Sequence, residues 1–92
     1  METVKFSTPV IIKGEKVDHV DLDFDKLTGH DMLAAETPSR LAGDQAPALA
    51  LSQRYQAIIA AKLLGMTPEE INALPAKAFI AITMEVGRFL LE

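Results

Sequence analysis

The sequence predicts an α+β fold in which a β-hairpin is followed by about four helices. Apolar and polar residues alternate up to residue 25, helical spacing of apolar residues then replaces that alternation, and capping signals mark the breaks. A chain of 92 residues with a hydrophobic fraction of 49% has the size and composition of one ordinary domain. We therefore expect a single domain over 1–92, with a hairpin part at 1–26 and a helical part at 27–92.

Alternating apolar and polar residues predict two strands, at about 4–13 and 17–25. Gly14 lies between them, and we expect a tight turn there because glycine readily adopts a positive φ. Pro9 has no backbone N–H group, so the first strand is expected to lie at an edge of the sheet. Together the two strands form the predicted hairpin.

The register of this hairpin follows from which residues must share a face. A two-residue loop would pair Phe6 with Asp23 and bring acids onto the apolar face. Pairing Val10 with Val20 keeps the apolar residues together, and we expect this register for that reason. It requires either a three-residue loop or a bulge near residues 18–19.

Capping signals and apolar spacing predict the helices. Thr28 and Asp31 have the spacing of a capping box, Gly65 has the position of a C-cap, and Thr67 with Glu70 forms a second capping box. Pro, Ser and Gly residues occur together between the first two helices and predict a mobile loop. The predicted helices span about 29–36, 46–64, 68–74 and 75–91, and the predicted loop spans 37–45.

The final helix is more apolar than a single face requires. One stripe along the helix holds Phe79, Ile82, Val86, Phe89 and Leu90. A different side of the helix holds Ile80, Met84 and Leu91. Such a helix is either buried on most sides or shares one side with another molecule. We expect self-association or partner docking here, with a fully internal helix as the alternative. Several of the candidate partner residues must also form the core. The candidates are Leu51, Tyr55, Ile58, Phe79, Ile80, Ile82, Met84, Val86, Phe89, Leu90 and Leu91.

The composition argues against several classes of function. A net charge of −4 does not suit a nucleic-acid binder, which needs clustered basic residues. The chain has no cysteine and no glycine-rich phosphate loop, and its apolar runs are far shorter than the roughly 18 residues of a membrane helix. We therefore expect a non-enzymatic protein without a cofactor, a small-molecule substrate or a membrane segment.

Histidines and acids offer one weak alternative. His19 and His30 have no neighbouring histidine at the spacing of zinc ligands. Asp21, Asp23 and Asp25 resemble the opening of a calcium loop, but the glycine and glutamate expected at its sixth and twelfth positions are missing. A solvated strand face explains the three acids, so we expect no metal site, although a small metal protein or enzyme remains the competing hypothesis.

The order of short segments along the chain carries a family resemblance. In sequence they are Thr8-Pro9-Val10, Lys13-Gly14-Glu15-Lys16, Val20-Asp21-Leu22, the residues at 27–31, the residues at 63–71, Leu74-Pro75 and the residues at 79–82. This order resembles the tail assembly chaperones of Mu-like and other contractile-tailed bacteriophages and prophages. One departure is that Lys77 and Ala78, rather than an acidic residue, precede the aromatic residue of the final helix.

The resemblance implies a non-catalytic role in building a phage tail. A protein of this kind binds the tape measure protein, helps to recruit tail-tube subunits, and acts in the cytoplasm of the bacterial host without remaining in the finished virion. We also expect a homo-oligomer. The residues alone leave a second hypothesis open, namely a generic homo-oligomeric adaptor with a different client.

Overall fold

In the computed structural model, which describes residues 1–41, 43–48 and 51–91, an antiparallel hairpin precedes four α-helices. The predicted α+β fold is therefore confirmed. The elements are β1 (Glu2–Ile12), β2 (Glu15–Leu22), a 3-10 turn (Phe24–Lys26), α1 (Gly29–Leu41), α2 (Gln53–Leu64), α3 (Pro68–Asn72) and α4 (Ala76–Leu91).

The core lies between the hairpin and the helices. β1 packs on α4 and β2 on α2, while α2 also contacts α1, α3 and α4. The largest fully buried apolar side chains are Leu22, Ile59, Ile71, Ile82 and Val86. Burial of one such side chain contributes roughly 1.5–3 kcal/mol. Because β2, α2, α3 and α4 all supply these residues, the core forms only when the elements meet.

The register of the hairpin differs from the prediction. Val10 pairs with Val17 and not with Val20. The turn is a two-residue loop, in which Lys13 has a φ of 52° and Gly14 a φ of 81°. Positive φ at both positions is typical of the type I′ turn, whose twist matches that of the strands. The expected three-residue loop is therefore wrong.

An irregularity in β1 brings the apolar residues back onto one face. Lys5 pairs with His19, so the residues from Phe6 to Pro9 lie opposite Asp18 alone. The prediction placed the bulge near residues 18–19, whereas the extra residues belong to β1. Beyond this irregularity β1 and β2 pair in a second register, in which Val4 lies opposite Val20 and both side chains are buried.

The first helix is longer than the sequence indicated. α1 ends at Leu41, whereas the sequence predicted its end at residue 36 and a mobile loop over 37–45. That loop is wrong over 37–41, which is helical, and residue 42 lies outside the described residues.

Hydrogen bonds to Asp44, just beyond the helix, explain the longer helix. Pro38 lies inside α1 and cannot donate a backbone hydrogen bond, which usually disfavours a helix. Ser39 follows it, is fully buried, and donates from Oγ to the Oδ2 atom of Asp44 over 2.6 Å. This contact holds the last turn of α1 in place.

The second helix begins later than predicted. The sequence indicated a start at residue 46, but α2 starts at Gln53, and residues 49 and 50 lie outside the described part of the chain. Ser52 is the N-cap, and its Oγ accepts the N–H of Tyr55 over 3.2 Å. The alanines and leucines before Ser52 favour a helix and concealed this cap in the sequence.

The remaining capping predictions are confirmed. Gly65 ends α2 in the left-handed region with a φ of 66°. Thr67 and Glu70 form the full capping box of α3, with the N–H of Thr67 donating to Glu70 Oε1 over 2.9 Å. The N–H of Thr28 likewise donates to Asp31 Oδ2 over 3.0 Å at the start of α1. α3 and α4 lie within two residues of their predicted bounds.

Candidate interaction surface on the last helix

The inward side of α4 anchors the helix in the core. α4 begins after Pro75, whose carbonyl accepts the N–H of Phe79 over 3.0 Å. Ala78, Ile82 and Val86 follow at four-residue spacing, which places them on one side of the helix, and all three are buried. This side of α4 therefore belongs to the fold.

The opposite side of α4 is apolar but exposed. Ile80, Met84 and Leu91 are exposed to 46%, 67% and 59%. Positions four and eleven residues apart return to nearly the same direction on a helix with 3.6 residues per turn. These three residues therefore line up, and we call them the outer face. Aligned apolar side chains of this kind mark interaction sites more often than isolated ones do.

Polar contacts to α2 define one edge of the outer face. Gln53 Nε2 donates to Thr83 Oγ1 over 3.1 Å, and the Thr83 hydroxyl contacts the carbonyl of Phe79 at 2.9 Å. One turn further along, a Cβ added to Gly87 would lie 2.7 Å from Gln56 Nε2, so α2 and α4 approach closely there. A shallow depression beside Ile80 is lined by Gln53, Arg54, Asn72, Leu74, Ala76 and Phe79.

Charged residues define the other edge. Lys77 lies on the same side of the helix as Ile80 and is exposed. Arg88 contacts Glu85 on its own helix and forms an ion pair with Glu2 Oε2 over 3.2 Å. The outer face is thus an apolar strip with amides along one edge and charges along the other, as is usual for an interface with a polar rim.

Several of the predicted partner residues belong to the core instead. Tyr55, Ile82 and Val86 are buried, so these three are the candidates that form the core, as was expected of several. The Tyr55 hydroxyl donates to the carbonyl of Met32 over 2.8 Å, and burial raises the pKa of this phenol. Ile58, Phe79 and Leu90 are half-buried and pack against the core.

Two predicted residues are exposed away from the outer face. Leu51, just before α2, is 65% exposed. Phe89 is 36% exposed, and its ring stacks on Phe24 with centroids 4.2 Å apart. Leu27 and Met32 join Phe89 and Leu90 in lining a small depression. The contact between Phe24 and Phe89 has no local sequence signal, because the two residues are far apart along the chain.

The histidines and acids do not converge. His19 Nδ1 lies 2.7 Å from Asp18 Oδ1, and this hydrogen bond raises the pKa of His19 and lowers that of Asp18. Asp21 accepts a hydrogen bond from Thr3 over 2.7 Å. The described residues include no group of three or more His, Asp or Glu side chains placed to hold a metal ion. Among them, too, no helix is both long enough and apolar enough to cross a bilayer.

A carboxylate that the sequence reasoning missed joins α1 to α2. Asp44 accepts hydrogen bonds from the hydroxyls of Ser39 and Ser52 and from the N–H of Ala46, the last over 3.0 Å. These donors lower the pKa of Asp44 to about 2, the hydroxyl of Ser39 most of all. These hydrogen bonds link the end of α1 to the N-cap of α2, which gives Asp44 a structural role.

The comparisons with known proteins give no relative: no family model, no curated protein and no solved structure matches the chain.

Proposed function

We propose that this protein is a non-catalytic assembly chaperone of phage or prophage tails, which binds the tape measure protein and helps to recruit tail-tube subunits. The observation that carries the proposal is the exposed outer face of Ile80, Met84 and Leu91 on a helix whose other side is in the core. The order of short sequence segments adds the family resemblance.

The outer face suits a helical client. An amphipathic helix can lay its apolar side against such a strip, with contacts one turn apart along both helices. A tape measure protein is a long helical molecule, so many equivalent stretches of it can meet many copies of a small chaperone. The polar edges of the strip then limit each copy to one shallow contact.

The size of the outer face predicts a weak contact for each copy. Burying an exposed apolar side chain fully contributes roughly 1.5–3 kcal/mol. About half to two-thirds of each of the three side chains is exposed, so a partner that covers them all gains about 3–5 kcal/mol. Association entropy opposes much of this gain. Several copies on one client would raise the total affinity through multivalency, while each contact stays reversible. Reversibility is what a chaperone absent from the finished virion requires.

The charge of the chain fits a role in the host cytoplasm. With a net charge of −4, copies repel one another and nucleic acid, which helps a protein with an exposed apolar strip to remain dispersed. Partner binding then depends on apolar contact and not on general electrostatic attraction.

Co-expression with a tape measure protein tests the proposal. The soluble fraction of the client should rise, and a complex should elute together on size exclusion. A variant with Ile80, Met84 and Leu91 all changed to Gln should lose this effect. Leu33→Gln is the matched control, because Leu33 is 67% exposed on α1, away from the outer face. An unchanged soluble fraction without a complex would overturn the proposal.

The second candidate is a homo-oligomeric adaptor, and the same outer face favours it, because a second copy could cover the strip. Light scattering over a range of concentrations separates the two. Stable oligomers that dissociate in the Ile80, Met84 and Leu91 variant, without any binding to a tape measure protein, would favour the adaptor.

A further inference from the structure

A groove separates the irregular part of β1 from the start of α4. Its volume is about 540 Å³, within the range of roughly 300–1,000 Å³ that is typical of ligand pockets. One wall is the β1 segment Lys5–Val10, and the other is formed by Pro75, Ala76, Lys77, Ala78 and Ala81.

Part of the strand wall has no paired residue across the hairpin. The register assigns Ser7 and Thr8 no partner on β2, because the residues from Phe6 to Pro9 lie opposite Asp18 alone. Ser7 and Thr8 are exposed, and the groove lies directly beside them. An exposed strand edge can accept an extended peptide as an additional strand. Pro9 restricts such pairing to a short stretch, since it has no N–H group to donate.

The helix wall leaves room for one apolar side chain. Ala78 is buried and Ala81 is half-buried, so this part of α4 presents methyl groups where larger residues would fill the groove. Phe6, which is half-buried, supplies apolar surface from the strand side. A side chain of the size of leucine therefore meets apolar atoms on both walls.

Two lysines give the groove a charge opposite to that of the whole chain. Lys5 lies on the strand wall and Lys77 on the helix wall, and both are exposed. Neither ammonium group forms a close ion pair within the described ranges 1–41, 43–48 and 51–91, although the charge of Lys5 helps to lower the pKa of Asp18. In a protein with a net charge of −4, a pair of such lysines beside an apolar groove favours an acidic ligand.

We propose that this groove binds an extended segment of another protein, in which one apolar side chain lies between two carboxylates. The segment pairs with the backbone at Ser7 and Thr8, and its apolar side chain contacts Phe6 and Ala81. Its two carboxylates point out of the groove, because side chains alternate along an extended chain, and there they meet the long side chains of Lys5 and Lys77. This site adjoins the outer face at Lys77, but its apolar contacts are different, and it does not depend on the identity of the client.

A second copy of the chain does not supply this segment. The chain has its own acidic and apolar alternation over Asp21–Asp25, but Leu22 is fully buried and Phe24 is 7% exposed. Offering these residues to a neighbour would open the core. The ligand is therefore a different protein.

Amide NMR of the full ¹⁵N-labelled chain tests the proposal with a defined probe, the blocked peptide acetyl-Ser-Asp-Leu-Asp-Ser-amide. We expect shift changes that centre on Ser7, Thr8 and the residues at 77–81. A control peptide with Asn in place of both Asp residues should bind about 2- to 30-fold more weakly, the range expected for two exposed ion pairs.

Charge reversal sharpens the test. The double variant Lys5→Glu and Lys77→Glu should lose binding of the acidic peptide and gain binding of a peptide with Lys in place of both Asp residues. Both lysines are exposed, so the fold should persist, and a dispersed spectrum checks this. Equal binding of the Asp and Asn peptides, shifts elsewhere, or no shifts at millimolar peptide would overturn the proposal. Concentration-dependent shifts at the groove without peptide would indicate a second copy and would also overturn it.

Discussion

Replacing Met84 with Gln should weaken partner binding by α4 while leaving the stability of the fold almost unchanged. Met84 is 67% exposed, so only a third of its surface is covered in the folded chain. Full burial of such a side chain contributes roughly 1.5–3 kcal/mol, and the covered third therefore contributes at most about 0.5–1 kcal/mol to folding. Met and Gln have similar helix propensities, so α4 itself should be unaffected. Ile82→Ala is the contrast, because Ile82 is fully buried and its truncation should cost about 2–5 kcal/mol.

Urea unfolding followed by circular dichroism measures both variants, at several protein concentrations. Met84→Gln should lower the free energy of unfolding by less than about 1 kcal/mol, and Ile82→Ala by at least twice that amount. The exposed two-thirds of Met84 corresponds to about 1–2 kcal/mol of partner contact, so Met84→Gln should weaken partner binding roughly 5- to 30-fold. A loss of more than 2 kcal/mol for Met84→Gln at every concentration would show that the outer face belongs to the folded core, and the reasoning would fail.

Three further outcomes follow from individual contacts. Gly65→Ala should cost about 1–2 kcal/mol in urea unfolding, because Gly65 has a φ of 66°. Asp44 has a pKa of about 2, below the value near 3.9 of an unfolded chain, so its stabilisation is present above about pH 4 and is lost as the pH falls to 2. Asp44→Asn should therefore make stability less dependent on pH in this range, as measured by unfolding at pH 5, 3 and 2. Thr83→Val keeps the shape of a buried side chain but removes the acceptor of Gln53 Nε2. It should cost roughly 0.5–1.5 kcal/mol, and a double-mutant cycle with Gln53→Ala should show that the two losses are not additive.

The two sides of α4 were predictable because they follow from helical spacing alone. A period of 3.6 residues places Ile80, Met84 and Leu91 together and away from Ile82 and Val86, whatever the helix packs against. The period does not say which side the rest of the chain covers. That choice came from the hairpin and α2, which pack against the side that holds Ile82 and Val86.

The groove beside β1 could not be predicted from the sequence. It exists because the hairpin changes register between Lys5 and Val10, whereas the sequence indicated a bulge, if any, near residues 18–19 of the other strand. Pro9 was a signal for an edge strand, but it did not reveal how many residues would lie opposite Asp18. Bringing Lys5 near Lys77 requires β1 to pack on α4, which is a contact between distant parts of the chain.

The sequence by itself determined the local features of the fold. These are the capping boxes at Thr28 and Thr67, the left-handed end of α2 at Gly65, and the alternation of apolar and polar residues along the strands. Each depends on atoms within about four residues, so spacing and residue type suffice. Tertiary structure decided the length of α1, the start of α2 and the register of the hairpin. The two helix bounds depend on hydrogen bonds of Asp44 with Ser39 and Ser52, which lie five and eight residues away and so beyond the reach of a capping box. The register depends on contacts between more distant parts of the chain.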